Sequence, residues 1–201
     1  MRLLLLSVAL ALSLAGPLAA HAESADRDKP MNVEADALRY DDLRQVSVFT
    51  GHVVLTKGTI LIRGARLEVR QDPDGYQYGT VTAEPGKRAF YRQKREGLDE
   101  WIEGESEVIE YDGKADRVKF IRQAELRRLR GATLADEMSG SLITYENTTD
   151  VFTVDGGPAS PRPGGRVRAV LAPRETASAP ARPAAPPAQL RSTPALPGET
   201  R

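Results

Sequence analysis

Residues 46–69 read VSVFTGHVVLTKGTILIRGARLEV, and their apolar side chains recur at every second position. Ile60 and Ile62 share one parity, as do Leu67 and Val69, with polar or charged residues between Leu67 and Val69. That period places successive side chains on opposite faces of a strand; a helix would repeat every 3.6 residues. Met31-Asn-Val33-Glu-Ala35 and Trp101-Ile-Glu103 alternate in the same way. Val, Ile, Thr, Tyr and Phe fill these runs, and Gly or Asp-Gly separates them. Asp74-Gly75 and Asp112-Gly113 are suited to hairpin turns. Residues 124–137 have some helical character, but Gly131 and Thr133 interrupt it. The chain is expected to be all-β.

A repeat underlies the alternation. Leu38-Arg-Tyr40, Ile109-Glu-Tyr111 and Ile143-Thr-Tyr145 are alike, and their tyrosines lie 111 − 40 = 71 and 145 − 111 = 34 residues apart. One unit of ~35 residues fits both spacings, a period typical of stacked architectures in which each unit covers its neighbour's apolar face. Carried forward, Ser47 and Phe49 fall on Val118 and Phe120, and then on Phe152 and Val154. Gly51 falls on Arg122 and on Gly156, and Leu55 on Leu126.

The register separates two faces. Val46 and Val48 align with Arg117 and Lys119, so that parity tolerates charge. The other parity is almost wholly apolar and is expected inside; a slip of one residue would exchange the faces. Phe49, Val118, Phe120, Phe152 and Val154 are therefore interior candidates, joined by Val53, Leu55 and Leu126. Any one of them serves simply as core. The row as a whole suits a groove for an acyl chain.

The two ends read differently. Met1-Arg2, the apolar run from Leu3, the Gly16-Pro17 break and Ala20-His21-Ala22 have the layout of a secretory signal peptide over residues 1–22. An uncleaved anchor is the rival, but the run is at the short limit for a bilayer. Residues 174–201 are rich in Pro, Ala, Ser and Arg and are expected to be a disordered tail. The folded body is expected over 26–173, with Val167–Leu171 as its last strand.

Composition narrows function. The chain has 201 residues, 28 basic and 28 acidic, so a nucleic-acid partner is not expected. It has no cysteine and two histidines, one of them in the leader, which leaves little material for a metal site or a nucleophile–histidine pair. His52, beside Gly51, reads as a corner residue. Glu103, Glu105 and Glu107 fall on one face and read as solvated. No Gly-x-x-x-x-Gly-Lys phosphate loop occurs. Neither catalysis nor a cofactor is expected. A sugar-binding or adhesion module is the alternative, since Trp101 and the tyrosines suit sugar stacking, but the aromatics sit on the regular positions of the repeat.

Phe49-Thr-Gly51-His-Val53-Val-Leu55-Thr-Lys-Gly58-Thr resembles the hallmark of the OstA-like family, in which Phe-Thr-Gly-Asn-Val runs into Gln-Gly-Thr. Lys29-Pro-Met31-Asn-Val33-Glu-Ala35-Asp is similar to that family's first strand. Gly86-Lys-Arg-Ala89-Phe90-Tyr-Arg-Gln93 and Glu103-Gly104-Glu-Ser106, with Tyr111, resemble its later segments. Here His52 replaces Asn, Arg88 stands where Pro is common, and Arg122 takes the place of the second corner's Gly. The resemblance implies a single elongated, twisted half-jellyroll of antiparallel strands. It implies a periplasmic carrier of lipopolysaccharide whose interior holds the acyl chains of lipid A. It implies end-to-end docking with inner-membrane-anchored and outer-membrane components of related fold, and head-to-tail self-association. It places Met31, Val33 and Phe90 against the lipid.

Seven basic residues lie between Lys114 and Arg130. A solvated strand face accounts for them; the sharper reading sets Arg122 and Arg128 at the groove mouth against lipid phosphates.

Overall fold

The computed structural model describes Asp26 and residues 29–95 and 97–173. The signal-peptide and tail assignments fall outside the described residues. One compact unit ends at Leu171, and of the second, Ala172–Arg201, only Ala172 and Pro173 are described.

The described residues form a 12-stranded antiparallel sheet. In chain order the strands are β1 (Met31–Glu34), β2 (Ala37–Asp41), β3 (Val46–Lys57), β4 (Ile60–Gln71), β5 (Gln77–Thr82), β6 (Ala89–Lys94), β7 (Glu100–Ser106), β8 (Val108–Asp112), β9 (Arg117–Arg130), β10 (Thr133–Glu146), β11 (Val151–Asp155) and β12 (Arg168–Leu171). Residues 124–137, the segment of mixed character, form the end of β9 and the start of β10. Asp74-Gly75 and Gly113 occupy turns, as expected.

Four long strands, β3, β4, β9 and β10, run through both of two facing walls. The first wall pairs β2, residues 46–50, residues 66–71, β5, β8, residues 117–121, residues 142–146 and β11, in that order. The second pairs β1, residues 53–57, residues 60–64, β6, β7, residues 124–130, residues 133–140 and β12. The fold is thus an antiparallel jellyroll of two walls joined along a common corner.

The corner is built twice in the same way. Between the pairs Thr50↔Arg66 and Val53↔Gly64, β3 carries two residues against one in β4. Between Ile121↔Leu142 and Ala124↔Gly140, β9 carries two against one in β10. Such a bulge bends and twists the strand pair. The two-residue side is left-handed each time: Gly51 and His52 at φ 78° and 45°, Arg122 and Gln123 at 61° and 50°. The repeat's equation of Gly51 with Arg122 is therefore conformational, although Arg122 has no glycine freedom. The third expected corner differs. Gly156 leaves β11 into a loop, and the carbonyl of Ala159 takes the corner hydrogen bond from Gln123 N at 2.8 Å.

The three hairpins named by the repeat share one register. Tyr40 pairs with Ser47, Tyr111 with Val118 and Tyr145 with Phe152, a seven-residue offset each time. An unbroken apolar row crosses the first wall: Leu38, Phe49, Leu67, Val81, Ile109, Phe120, Ile143 and Val154. The second wall answers with Val33, Leu55, Ile62, Tyr91, Gly104, Leu126, Met138 and Ala169. The inward parity read from sequence is the observed one.

Candidate functional site

The space between the walls changes character along the stack. In the middle it is closed. Phe120, Leu126, Tyr91, Ile102 and Ile143 have no solvent exposure, and Phe120 meets Tyr91 edge-on at 5.6 Å between ring centres. Gly104 admits this packing, because a Cβ there would lie 2.2 Å from the Phe120 ring. At the β1/β2 end the walls stand apart. A small apolar cavity lies between Met31, Leu55, Ile60 and Ile62 of one wall and Leu67, Val69, Val81 and Ile109 of the other. Gly79 sits on its lining, where the absence of a side chain keeps the space open. Beside it, sharing Met31 and Val69, a roomier cleft opens past Val33 and Phe49 to a neutral polar margin of Gln45, Ser47, Gln71 and Gln77.

The candidate residues therefore separate. Met31, Val33 and Leu55 line the open end with Phe49, and Val53 is buried behind them. Val118, Phe120 and Leu126 belong to the closed middle. Phe152 and Val154 are half-buried at the far end of the first wall, with Phe152 stacked on Tyr145 at 4.5 Å. Phe90 is a correction. It lies on the outer face, where it pairs with Arg63 and Glu105, and the Arg63 guanidinium sits 5.8 Å from its ring centre. The inward positions of β6 are Ala89, Tyr91 and Gln93, all buried. Gln93 is polar yet inward because it is satisfied: Tyr91 Oη donates to Gln93 Oε1 at 2.5 Å, and Gln93 Nε2 donates to Asp26 at 3.3 Å.

Arg122 and Arg128 are not brought together. Arg122 lies at the corner and pairs with Glu107 at 2.8 Å. Arg128 lies near the opposite margin of the second wall, paired with Asp136 and 3.9 Å from Glu100. Glu103 and Glu105 face outward and pair with Arg92, Arg88 and Arg127. His52 holds Asp36 across the corner at 2.8 Å.

The margin of the groove is tied at one place that the sequence did not reveal. Arg95, in the loop after β6, pairs with Glu100 on its own wall and reaches Asp150, in the β10–β11 turn of the other wall, at 2.9 Å. Its side chain is only 11% exposed. Tyr145 Oη donates to the same Asp150 at 3.1 Å. Burial, and then the Asp150 carboxylate, push the Tyr145 phenol well above its ordinary value. Burial does the same to Tyr91. At Glu100 burial favours the neutral acid, but hydrogen bonds from Arg95 and Arg130 outweigh it and leave the carboxyl below the usual range.

Among the described residues no group of three or more His, Cys, Asp or Glu side chains is placed to hold a metal. The fold and cavity together define a β-jellyroll protein with an apolar groove between its walls. Residues 32–151 match the family described as LptA/(LptD N-terminal domain) LPS transport protein, and the chain belongs to that family. It is 32% identical over 158 residues to the lipopolysaccharide export system protein LptH of Pseudomonas aeruginosa, covering 76% of this chain and 84% of that one. It is 32% identical over 133 residues to LptA of Escherichia coli K12, covering 66% and 68%. The crystal structure of the Pseudomonas LptH, a periplasmic component of the lipopolysaccharide transport device, superposes with a TM-score of 0.64 at 27% identity, covering 74% of this chain and 99% of that one.

Proposed function

We propose that this chain is a periplasmic lipopolysaccharide carrier that holds acyl chains between its walls and passes the lipid between the inner and outer membranes without covalent chemistry. The observation that carries the reading is the apolar cavity at the β1/β2 end together with the adjoining cleft, whose margin is polar and neutral. Burying an acyl chain there recovers ~25 cal/mol per Å² of apolar surface removed from water. Met31, Val33, Phe49 and Leu55 are the first contacts. Val118, Phe120, Leu126, Phe152 and Val154 receive the chain only where the walls part. Phosphate pairing at Arg122 or Arg128 requires exchange with the carboxylate each already holds. The chain reaches the periplasm through the leader over residues 1–22.

Edge strands support the transport reading. Among the described residues β1 and β2 pair only with β3, and β11 and β12 only with β10. Each end of both walls therefore presents backbone donors and acceptors to a further strand. End-to-end addition that does not close gives a continuous row of like domains. Related domains anchored in the inner membrane and attached to the outer one are the partners that such a row needs.

The test is photo-crosslinking to purified lipopolysaccharide from a photoreactive phenylalanine analogue placed in turn at Val33, Phe49, Phe90 and Lys119. Crosslinks from the first two and none from the last two are expected. A folded protein that crosslinks from no inward position would be a solid-core module, and the reading would move to sugar binding or adhesion.

A further inference from the structure

The acyl-groove reading leaves open which part of a ligand meets the polar margin of the cleft. Gln45, Gln71 and Gln77 form one row there: Gln71 pairs with Gln77, and Gln71 N donates to Gln45 O at 3.1 Å. All three line the cleft together with Ser47. Gly113 follows in the row, its N donating to Gln77 O at 3.0 Å, and it brings no side chain to cover Gln77. Gln45 Nε2 donates to Asp42 O at 2.6 Å and Gln71 Nε2 to Gly75 O at 3.3 Å. Among the described residues the Gln77 amide and the Ser47 hydroxyl meet no hydrogen-bonding partner.

The matching place at the closed end is built differently. Asn147 N donates to Asp116 O at 3.0 Å, as Gln71 N does to Gln45 O. There the amide is engaged on both sides: Asn147 Nδ2 donates to Asp116 at 3.0 Å, and Asn147 Oδ1 accepts from Tyr145 Oη at 3.1 Å. Where the first unit has Ser47, the later units have Val118 and Phe152. The cleft lining carries no charged side chain. Carboxamides and hydroxyls donate and accept at once, which suits the neutral hydroxyls of a sugar rather than an ion. Tyr40 lines the same cleft, and Asp42 holds its hydroxyl at 2.9 Å, so an aromatic ring stands beside the row.

We propose that the glutamine row, with Gln77 as its free member, is the contact for the uncharged sugar hydroxyls of a glycolipid whose alkyl chain lies in the adjoining cavity. The inference rests on the acyl-groove reading.

The test compares dodecyl glucoside, the dodecyl ether of ethylene glycol and methyl glucoside as ligands of the whole mature chain, the first two below their micelle concentrations. The wild type is expected to bind the dodecyl glucoside about ten-fold more tightly than the ether of equal chain, the scale of one or two neutral hydrogen bonds. Gln77→Met keeps the length of the side chain and removes its polar atoms, and it is expected to bring the two lipids within about two-fold of each other without weakening the ether. Thr80→Val, on the outer face of the same strand, is expected to keep the ten-fold preference. Melting curves of both variants control for folding. Methyl glucoside is expected not to compete. A preference that survives in Gln77→Met overturns the inference, as do equal binding of the two lipids by the wild type and methyl glucoside binding as tightly as its dodecyl counterpart. Failure of the folded wild type to bind either lipid overturns the groove reading beneath it.

Discussion

Replacing Gly79 by Val plugs the cavity without disturbing the fold. Gly79 lies on β5 between Val69 and Tyr111 in the ladder, on the cavity lining. A Cβ there would meet Leu67 Cδ1 at 3.8 Å and Tyr111 Cβ at 3.9 Å, ordinary contacts with nothing to displace. A glycine inside a strand costs roughly 0.5–1 kcal/mol relative to alanine, and a β-branched residue suits a strand better still. The variant should therefore gain about 1 kcal/mol, which for a folded body of this size raises the melting temperature by about 2–4 °C. Binding should move the other way. Two or three methylenes of an acyl chain excluded from the cavity, at ~0.8 kcal/mol each, amount to ~2 kcal/mol, or roughly 30-fold in Kd. Thermal unfolding and titration with a fluorescent acylated lipid measure the two effects on one sample. A Gly79→Val protein that melts higher and binds lipid as tightly as the wild type would refute the assignment of this cavity to acyl chains.

Gly104→Ala makes the opposite demand, since its Cβ would stand 2.2 Å from the sealed Phe120 ring; urea unfolding should show a loss of about 1–3 kcal/mol, part of it restored in Gly104→Ala/Phe120→Leu. Arg95→Gln removes the tie between the walls and should speed amide hydrogen exchange in the β10–β11 turn more than in β3–β4, with about 1–3 kcal/mol lost in unfolding. Tyr91 and Tyr145 hold their protons in the fold above the ordinary value of 10.0, so their contribution is complete below about pH 10 and declines as pH rises above it. Absorbance at 295 nm should show these two phenols ionising only together with unfolding, and two phenolates titrating freely in the intact fold would contradict their burial.

Alternation of period two was enough to reveal the strands and the inward face, because each wall buries one side and any slip would turn that side to water. The tyrosine repeat was legible because a seven-residue register recurs with the same turn length in three hairpins. At β6 the pattern gave no decision. Phe90 and Tyr91 are adjacent aromatics, and the parity that goes inward includes Gln93, whose polarity is met by Asp26 from 67 residues away. The Arg122 corner was visible only by alignment with Gly51, since arginine carries no local signal for a left-handed backbone. The tie from Arg95 to Asp150 joins residues 55 apart, and no spacing rule predicts it. Nor does sequence show that the groove is open at one end and packed solid in the middle. That depends on volumes, such as the ring of Phe120 filling the space above Gly104.

The shared corner also has a mechanical meaning. β3, β4, β9 and β10 pass from one wall into the other without a break in the chain, so the walls cannot slide apart as separate plates. Their relative motion is rotation about a spine fixed by the two bulges. From that spine to the far margin the seven residues 124–130 of β9 span ~23 Å at ~3.3 Å each, so a tilt of ~10° opens the margin by ~4 Å. The spine barely moves over the same tilt. The amplitude is greatest where Arg95 meets Asp150, and a single ion pair placed at the end of so long a lever holds the walls with the greatest torque.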